Sequence, residues 1–184
     1  MSWVGSRKIS AGVLALLLSL ESGAAGSQTD INRWRLFSDR VMGGVSAGDL
    51  QQGEREGRAC LHMQGEVRLD NNGGFIQMAS DLSADERQAF ADGDGIELEV
   101  YGNGEVYNVH LRTADMSRPW QSYRASFTAA SGWQTLRLPF ADFEAHRIEG
   151  PLQPGRVRRI GLVAIGREFS ADLCVAGVVV YSGL

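Results

Sequence analysis

One lysine, two cysteines, three histidines and four prolines are spread over 184 residues, and each scarcity closes off a kind of chemistry. Lysine occurs only at Lys8, ahead of an apolar run, so everything after it lacks an amine for Schiff-base or general-base work. Cys60 and Cys174 have no further cysteine or histidine at ligand spacing, which argues against a metal site. Two readings of them stay open. In an oxidising compartment they would form a disulfide closing a long loop, and otherwise they are two separately buried thiols. His62, His110 and His146 sit in unrelated contexts, and their spacing favours none of them as a base or ligand. Positive charge is also short, with a net charge of −4. A sequence-independent grip on nucleic acid is therefore disfavoured. The one basic cluster, Arg156-Val157-Arg158-Arg159, reads as the solvated start of a strand.

Long apolar runs are missing as well. The longest, Ala11 to Leu20, is about half of what a membrane span of about 20 residues requires. Arg7 and Lys8 precede it and small residues surround Ala24 and Ala25, which is the layout of a secretory signal peptide over residues 1–25. Residues 26–184 then form a single exported domain with no stable membrane span after cleavage. Removing Arg7, Lys8 and Glu21 leaves it 16 Arg against 21 acidic residues. A hydrophobic fraction of 43% and a charged fraction of 22% suit one folded core.

What is present is glycine, 23 residues of it, separating short apolar segments. These are 59–69, 73–80, 95–102, 105–113, 120–127, 133–140, 159–166 and 173–182. Many alternate with period two, as Ile96, Leu98 and Val100 do against Glu97 and Glu99. That is the pattern of half-buried antiparallel strands. Gly102-Asn103-Gly104 reads as a hairpin turn between two of them. Asp92-Gly93-Asp94-Gly95 reads as a turn, since the later ligands of a calcium loop are missing. Ser83-Ala84-Asp85-Glu86 has the form of a capping box and predicts one short helix. The whole predicts an all-β jelly-roll β-sandwich of about eight or nine antiparallel strands.

Four segments carry more polar and flexible residues than packing asks for. SDRVMGGVS contributes Ser38, Asp39, Arg40, Met42 and Ser46, and DNNGGF contributes Asn71 and Asn72. Tyr107 and Arg112 come from one predicted strand, in which Tyr107, Val109 and Leu111 share one face and Asn108, His110 and Arg112 the other. Trp120 and Tyr123 come from the aromatic start of another. Together they would suit a binding face. The alternative is that the glycines serve turns, Asp39 pairs with Arg112, and aromatics such as Phe75 and Trp133 are core. Gly44-Val45-Ser46-Ala47-Gly48 matches a hydrolase nucleophile motif, but the polar AGDLQQGEREG after it offers no helix and no base is placed. Asp39, Asp70 and Glu105 are the acids that could converge for glycoside hydrolysis.

Taken in order, SDRVMGGVS, NNGGF, YNVHLRT, WQSYRASF, WQTLRLPFADF and RIGLVAIG resemble the family of complex I intermediate-associated protein 30, from about Ile31 to the C terminus. The pairing of the first two motifs is the specific part. The resemblance implies a galactose-binding-like β-sandwich, no catalytic residue and no cofactor. It also implies an assembly or chaperone-like role with a protein partner, since the mitochondrial members help build complex I. A secretory leader in place of a mitochondrial presequence makes this chain look like a bacterial exported member, periplasmic or secreted. The fold and a non-enzymatic binding role carry over to it better than the complex I role. Two further expectations stand beside that one. The first is a carbohydrate-binding module with a glycan stacked on Trp120 or Tyr123; the second is an enzyme acting on glycans through Asp39.

Overall fold

The computed structural model describes residues 31–183 and Met1, so the expected leader over 1–25 and the domain start at 26 lie outside the described residues. The described chain is an all-β sandwich of two antiparallel sheets with one α-helix. The six-stranded sheet runs β1 (Arg35–Ser38), β4 (Phe75–Asp81), β10 (Val157–Ile165), β6 (Val106–Thr113), β7 (Ser122–Thr128), β9 (Glu144–His146). The five-stranded sheet runs β2 (Ala47–Arg55), β3 (Arg58–Val67), β11 (Phe169–Tyr181), β5 (Gly95–Tyr101), β8 (Gln134–Pro139).

Alternation in the sequence becomes the two sides of each sheet. Ile76 and Met78 of β4, Val109 and Leu111 of β6, and Ile160 and Leu162 of β10 are fully buried between the sheets. Met63, Ile96, Leu98 and Leu173 meet them from the five-stranded side. Each such side chain contributes roughly 1.5–3 kcal/mol on leaving water. Their neighbours in sequence, Gln77, His110, Arg112 and Arg159 among them, therefore project from the outer face of the six-stranded sheet.

The helix is where the capping box placed it. α1 (Ala84–Asp92) starts at Ser83, whose Oγ accepts the Glu86 N–H at 3.2 Å while Glu86 Oε2 accepts the Ser83 N–H at 2.6 Å. Arg33 adds an ion pair to the same carboxylate. Phe90 anchors the helix by stacking on Phe140 at 5.4 Å between ring centroids.

Two expectations change. Gly102-Asn103-Gly104 is not a hairpin turn, because β5 and β6 belong to different sheets and the segment carries the chain from one layer to the other. It is tied instead to the end of β7, through Gly102 N–H to Ala130 O at 2.8 Å and Gly104 N–H to Ala129 O at 2.7 Å. Eleven strands are present among the described residues rather than eight or nine. The additional ones, β1, β2 and β9, are all sheet edges. β2 is mostly exposed, so AGDLQQGER shows no apolar face. Its structure comes from pairing with β3 through a two-residue turn at Glu56 and Gly57, both at positive φ. Cys60 and Cys174 are joined in a disulfide spanning 114 residues, with Cα atoms 5.5 Å apart.

Candidate functional site

SDRVMGGVS and NNGGF are one structural unit, organised by a single carboxylate. Asp39 is fully buried. Its Oδ1 accepts the Ser46 N–H at 2.9 Å, and its Oδ2 accepts the Ser46 hydroxyl at 2.5 Å, the Gly74 N–H at 2.5 Å and the Phe75 N–H at 3.3 Å. Burial pushes this carboxyl up, but the four hydrogen bonds, led by the Ser46 hydroxyl, outweigh it and hold the group below its ordinary value. The glycines follow from the same contact. A Cβ on Gly44 would come within 2.3 Å of Asp39 Cγ, and one on Gly73 within 2.5 Å of Asp39 Oδ2. The two loops close on the carboxylate only because neither residue has a side chain. Asn71 and Asn72 take the left-handed turn between them, and Asn71 Nδ2 donates to Gly43 O at 3.2 Å.

Asp39 and Ser46, expected to contact a ligand, are therefore consumed internally. Ser46 Oγ also accepts the Arg68 N–H at 3.0 Å, and no histidine is bonded to it. The hydrolase reading has neither helix nor base. Ser38 caps the short turn 39–42, its Oγ accepting the Arg40 N–H at 3.4 Å, while Arg40 is exposed and lines neither of the cavities described next. Tyr107 is likewise not a contact residue: it is fully buried, its hydroxyl set between Asn103 Oδ1 and the backbone of Asp172. Burial pushes that phenol up to about 12. Tyr123 is also buried, donates to Pro151 O at 3.2 Å and lies outside the lining of the groove described next. Asp39, Asp70 and Glu105 do not converge. Asp70 pairs with Arg68 and Glu105 with Arg167.

A groove crosses the outer face of the six-stranded sheet. Its floor is made by the outward residues of β4, β10, β6 and β7. One wall is the 39–42 turn, through Val41 and Met42, and the other is the loop before β7, through Pro119 and Trp120. Two contiguous compartments of about 350 and 450 Å³ share Val41, Phe75, Gln77, His110, Pro119 and Arg124. Met42, Asn72, Arg112 and Trp120 are the sequence-predicted binding residues that reach it. Trp120 is half exposed and Met42 more so. Arg112 holds a wall in place, its Nη1 donating to the carbonyls of Arg118, Pro119 and Gln121 at 2.9, 2.7 and 2.9 Å.

At the centre lies His110. It is 9% exposed, and its Nε2 is buried without a hydrogen-bond partner. Burial first, then the charges of Arg124 and His146, push the imidazole down to about 3, so it is neutral near pH 7. Its neighbour across β10 is Gly161, where a Cβ would approach Gln77 Cδ to 3.1 Å. The missing side chain lets Gln77 lie over the strand towards His110. Sequence reasoning passed over Gln77, Arg124, Arg159 and Gly161, and treated Phe75 as core, although Phe75 is only half-buried and lines the groove. The signal was present in the period-two alternation that set His110 and Arg112 on one face. It needed the strand order before the outward positions of four separate strands could be joined.

The sequence model of the family described as complex I intermediate-associated protein 30 matches residues 24–175. No curated protein sequence matches the chain. Among solved structures, the fold is similar to the family 11 carbohydrate-binding module from Clostridium thermocellum in complex with a β-1,3-1,4-mixed-linked tetrasaccharide. That match has a TM-score of 0.69 at 13% identity and covers 85% of this chain and 95% of that one. It is also similar to the family 30 carbohydrate-binding module of a cellulosomal cellulase of the same organism, with a TM-score of 0.57 at 13% identity over 85% of this chain and 94% of that one. At such identities these likenesses speak to the fold alone.

Proposed function

The chain belongs to the complex I intermediate-associated protein 30 family, and from that premise and the groove geometry we propose that it is a non-catalytic carbohydrate-binding domain. The observation that carries this reading is the groove itself. It is open and long, walled by Trp120 on one side, with Phe37 and Phe75 on its floor and His110 and Gln77 at its centre. Aromatic faces pack against the C–H surfaces of a sugar ring, and a few fixed polar groups set its orientation. The carbohydrate-binding modules of similar fold support the reading. Among the described residues no carboxylate lines the groove, so a pair of acids for glycoside hydrolysis would have to come from elsewhere. A glycan array, followed by titration calorimetry of any hit with wild type and Trp120→Ala, tests it. A hit weakened roughly tenfold by the substitution is expected, about 1.4 kcal/mol of lost contact. An array silent for wild type sinks the reading.

A second reading, a protein partner met during envelope assembly, is favoured by Val41, Met42 and Val45, which are exposed together on the 39–46 loop. Crosslinking from position 41 in envelope extract separates the two: a single specific protein adduct, with no glycan bound, favours the partner. The proposed location is outside the cytoplasm. The leader-like residues 1–25 support it, and so does the Cys60–Cys174 disulfide, a bond that persists in oxidising compartments. Recovery of the full-length, unprocessed chain from the cytoplasm would refute it.

A further inference from the structure

The charge of the groove is opposite to that of the chain. The sequence carries a net charge of −4, yet Arg112, Arg124 and Arg159 line the groove and, among the described residues, no aspartate or glutamate does. The three arginines come from adjacent strands, β10, β6 and β7. Burial first and then the like charge of Arg159 lower the Arg112 guanidinium, and burial followed by the charge of Arg147, which stands outside the lining, lowers Arg124. Two carboxylates stand near but outside the lining. Asp81 pairs with Arg159 at 3.0 Å, and Glu144 faces Arg124 across the β7–β9 ladder without an ion pair between them. Arg124 spends only its Nε within the protein, donating to Ser122 Oγ at 2.9 Å. Beside it is the unpartnered Nε2 of His110, a buried polar atom of the kind that native proteins ordinarily satisfy.

Resting on the carbohydrate reading above, we infer that the groove selects an acidic glycan, one bearing carboxylate or sulfate groups. Arg124 and Arg159 would take the anionic groups and His110 Nε2 a neighbouring hydroxyl. A guanidinium presents parallel N–H donors that match a carboxylate or sulfate in a two-point contact. A partly buried positive cluster that holds one ion pair among three guanidiniums, Arg159 to Asp81, costs free energy in the unliganded protein, and an arriving anion relieves that cost. Phe37 beneath the Arg159 guanidinium, 4.7 Å from its centroid, sets an apolar surface next to the charge, as a ring with one anionic substituent requires. A neutral sugar would leave the Arg124 charge without a counter-ion under a bound ligand.

The experiment is calorimetry of the purified chain at low salt with four probes: a tetramer of galacturonic acid, a chondroitin sulfate tetrasaccharide, a neutral mixed-linked glucan tetrasaccharide, and poly-glutamate of matched charge. The expected result is binding of at least one acidic oligosaccharide, with the neutral one and poly-glutamate weaker by tenfold or more. The two acidic arms report whether carboxylate or sulfate is preferred. Arg124→Gln should weaken the acidic ligand by at least tenfold, raising salt should weaken it further, and Arg68→Gln, outside the groove, should leave it within twofold. Equal affinity for the neutral glucan, unaffected by Arg124→Gln, overturns charge selection while leaving the carbohydrate reading standing. Equal affinity for poly-glutamate overturns the glycan as the source of the charge. Binding of none of the oligosaccharides overturns both readings together. Circular dichroism of each variant keeps a folding failure from being counted as any of these.

Discussion

Replacing Asp39 with asparagine tests whether this side chain locks the sandwich or meets a ligand. An amide has one acceptor oxygen. Placed at Oδ1 it keeps the Ser46 N–H at 2.9 Å, which leaves an NH2 group facing the two backbone donors that Oδ2 now satisfies, Gly74 and Phe75. The Ser46 hydroxyl can turn towards Arg68 O, 3.2 Å away, so it is not counted as lost. Two buried or half-buried N–H groups without acceptors cost about 1–3 kcal/mol each, so a loss of about 3–5 kcal/mol is expected. With a urea slope of about 2 kcal/mol per molar, the unfolding midpoint should fall by about 1.5–2.5 M. The assay is equilibrium unfolding in urea followed by tryptophan fluorescence, with the exposed Asp49→Asn as a control that should not move. A midpoint shift below about 0.5 M at unchanged slope would refute the clamp. If that small shift came with lost ligand affinity, Asp39 would be the contact residue that the sequence first suggested.

Further outcomes follow from the same structure. The His110 imidazole is pushed down to about 3 from an unfolded value near 6.5, so between those pH values the unfolded chain binds the extra proton; stability is fully present above pH 6.5 and is lost as pH falls towards 3. At 1.36 kcal/mol per unit that amounts to about 4–5 kcal/mol, and His110→Gln should flatten the pH 4–6.5 portion of the stability curve. The Asp39 carboxyl, held below its ordinary value, adds a separate loss only below about pH 4, which Asp39→Asn should remove. Reducing Cys60–Cys174, or changing both residues to serine, should cost about 5 kcal/mol by freeing a loop of over a hundred residues, measured by thermal melts with and without reductant. Gly73→Ala should destabilise by about 1–3 kcal/mol, because its Cβ would press on the Asp39 carboxylate, whereas alanine at Gly132, where the Cβ would meet open space, should cost less.

Much of this molecule was legible as pattern. The strands from β3 to β11 other than β9 lie where period-two alternation put them, and α1 starts at its capping box, because each is decided by residues close in sequence. The resemblance carried by SDRVMGGVS and NNGGF was also readable, and residues 24–175 do belong to that family. What pairs the two motifs was not readable. Asp39 stands 35 residues from Gly74, and only the closed sandwich shows that Gly44 and Gly73 lack side chains to make room for one carboxylate. Three of the four edge strands, β1, β2 and β9, were missed because hydrogen bonding to a neighbour, more than an apolar face, holds them in the sheet. Burial reversed the expectation for Tyr107 and Tyr123, whose rings fill the core while their hydroxyls reach backbone partners. The groove followed the same logic. Gln77, His110, Arg124 and Arg159 are unremarkable polar positions on four strands scattered over more than eighty residues, and only the order β4-β10-β6-β7 sets them side by side. Sequence by itself determined which residues face outward along each strand, since that is local geometry. Which outward residues become neighbours was decided by strand pairing, a long-range choice visible only in the folded chain.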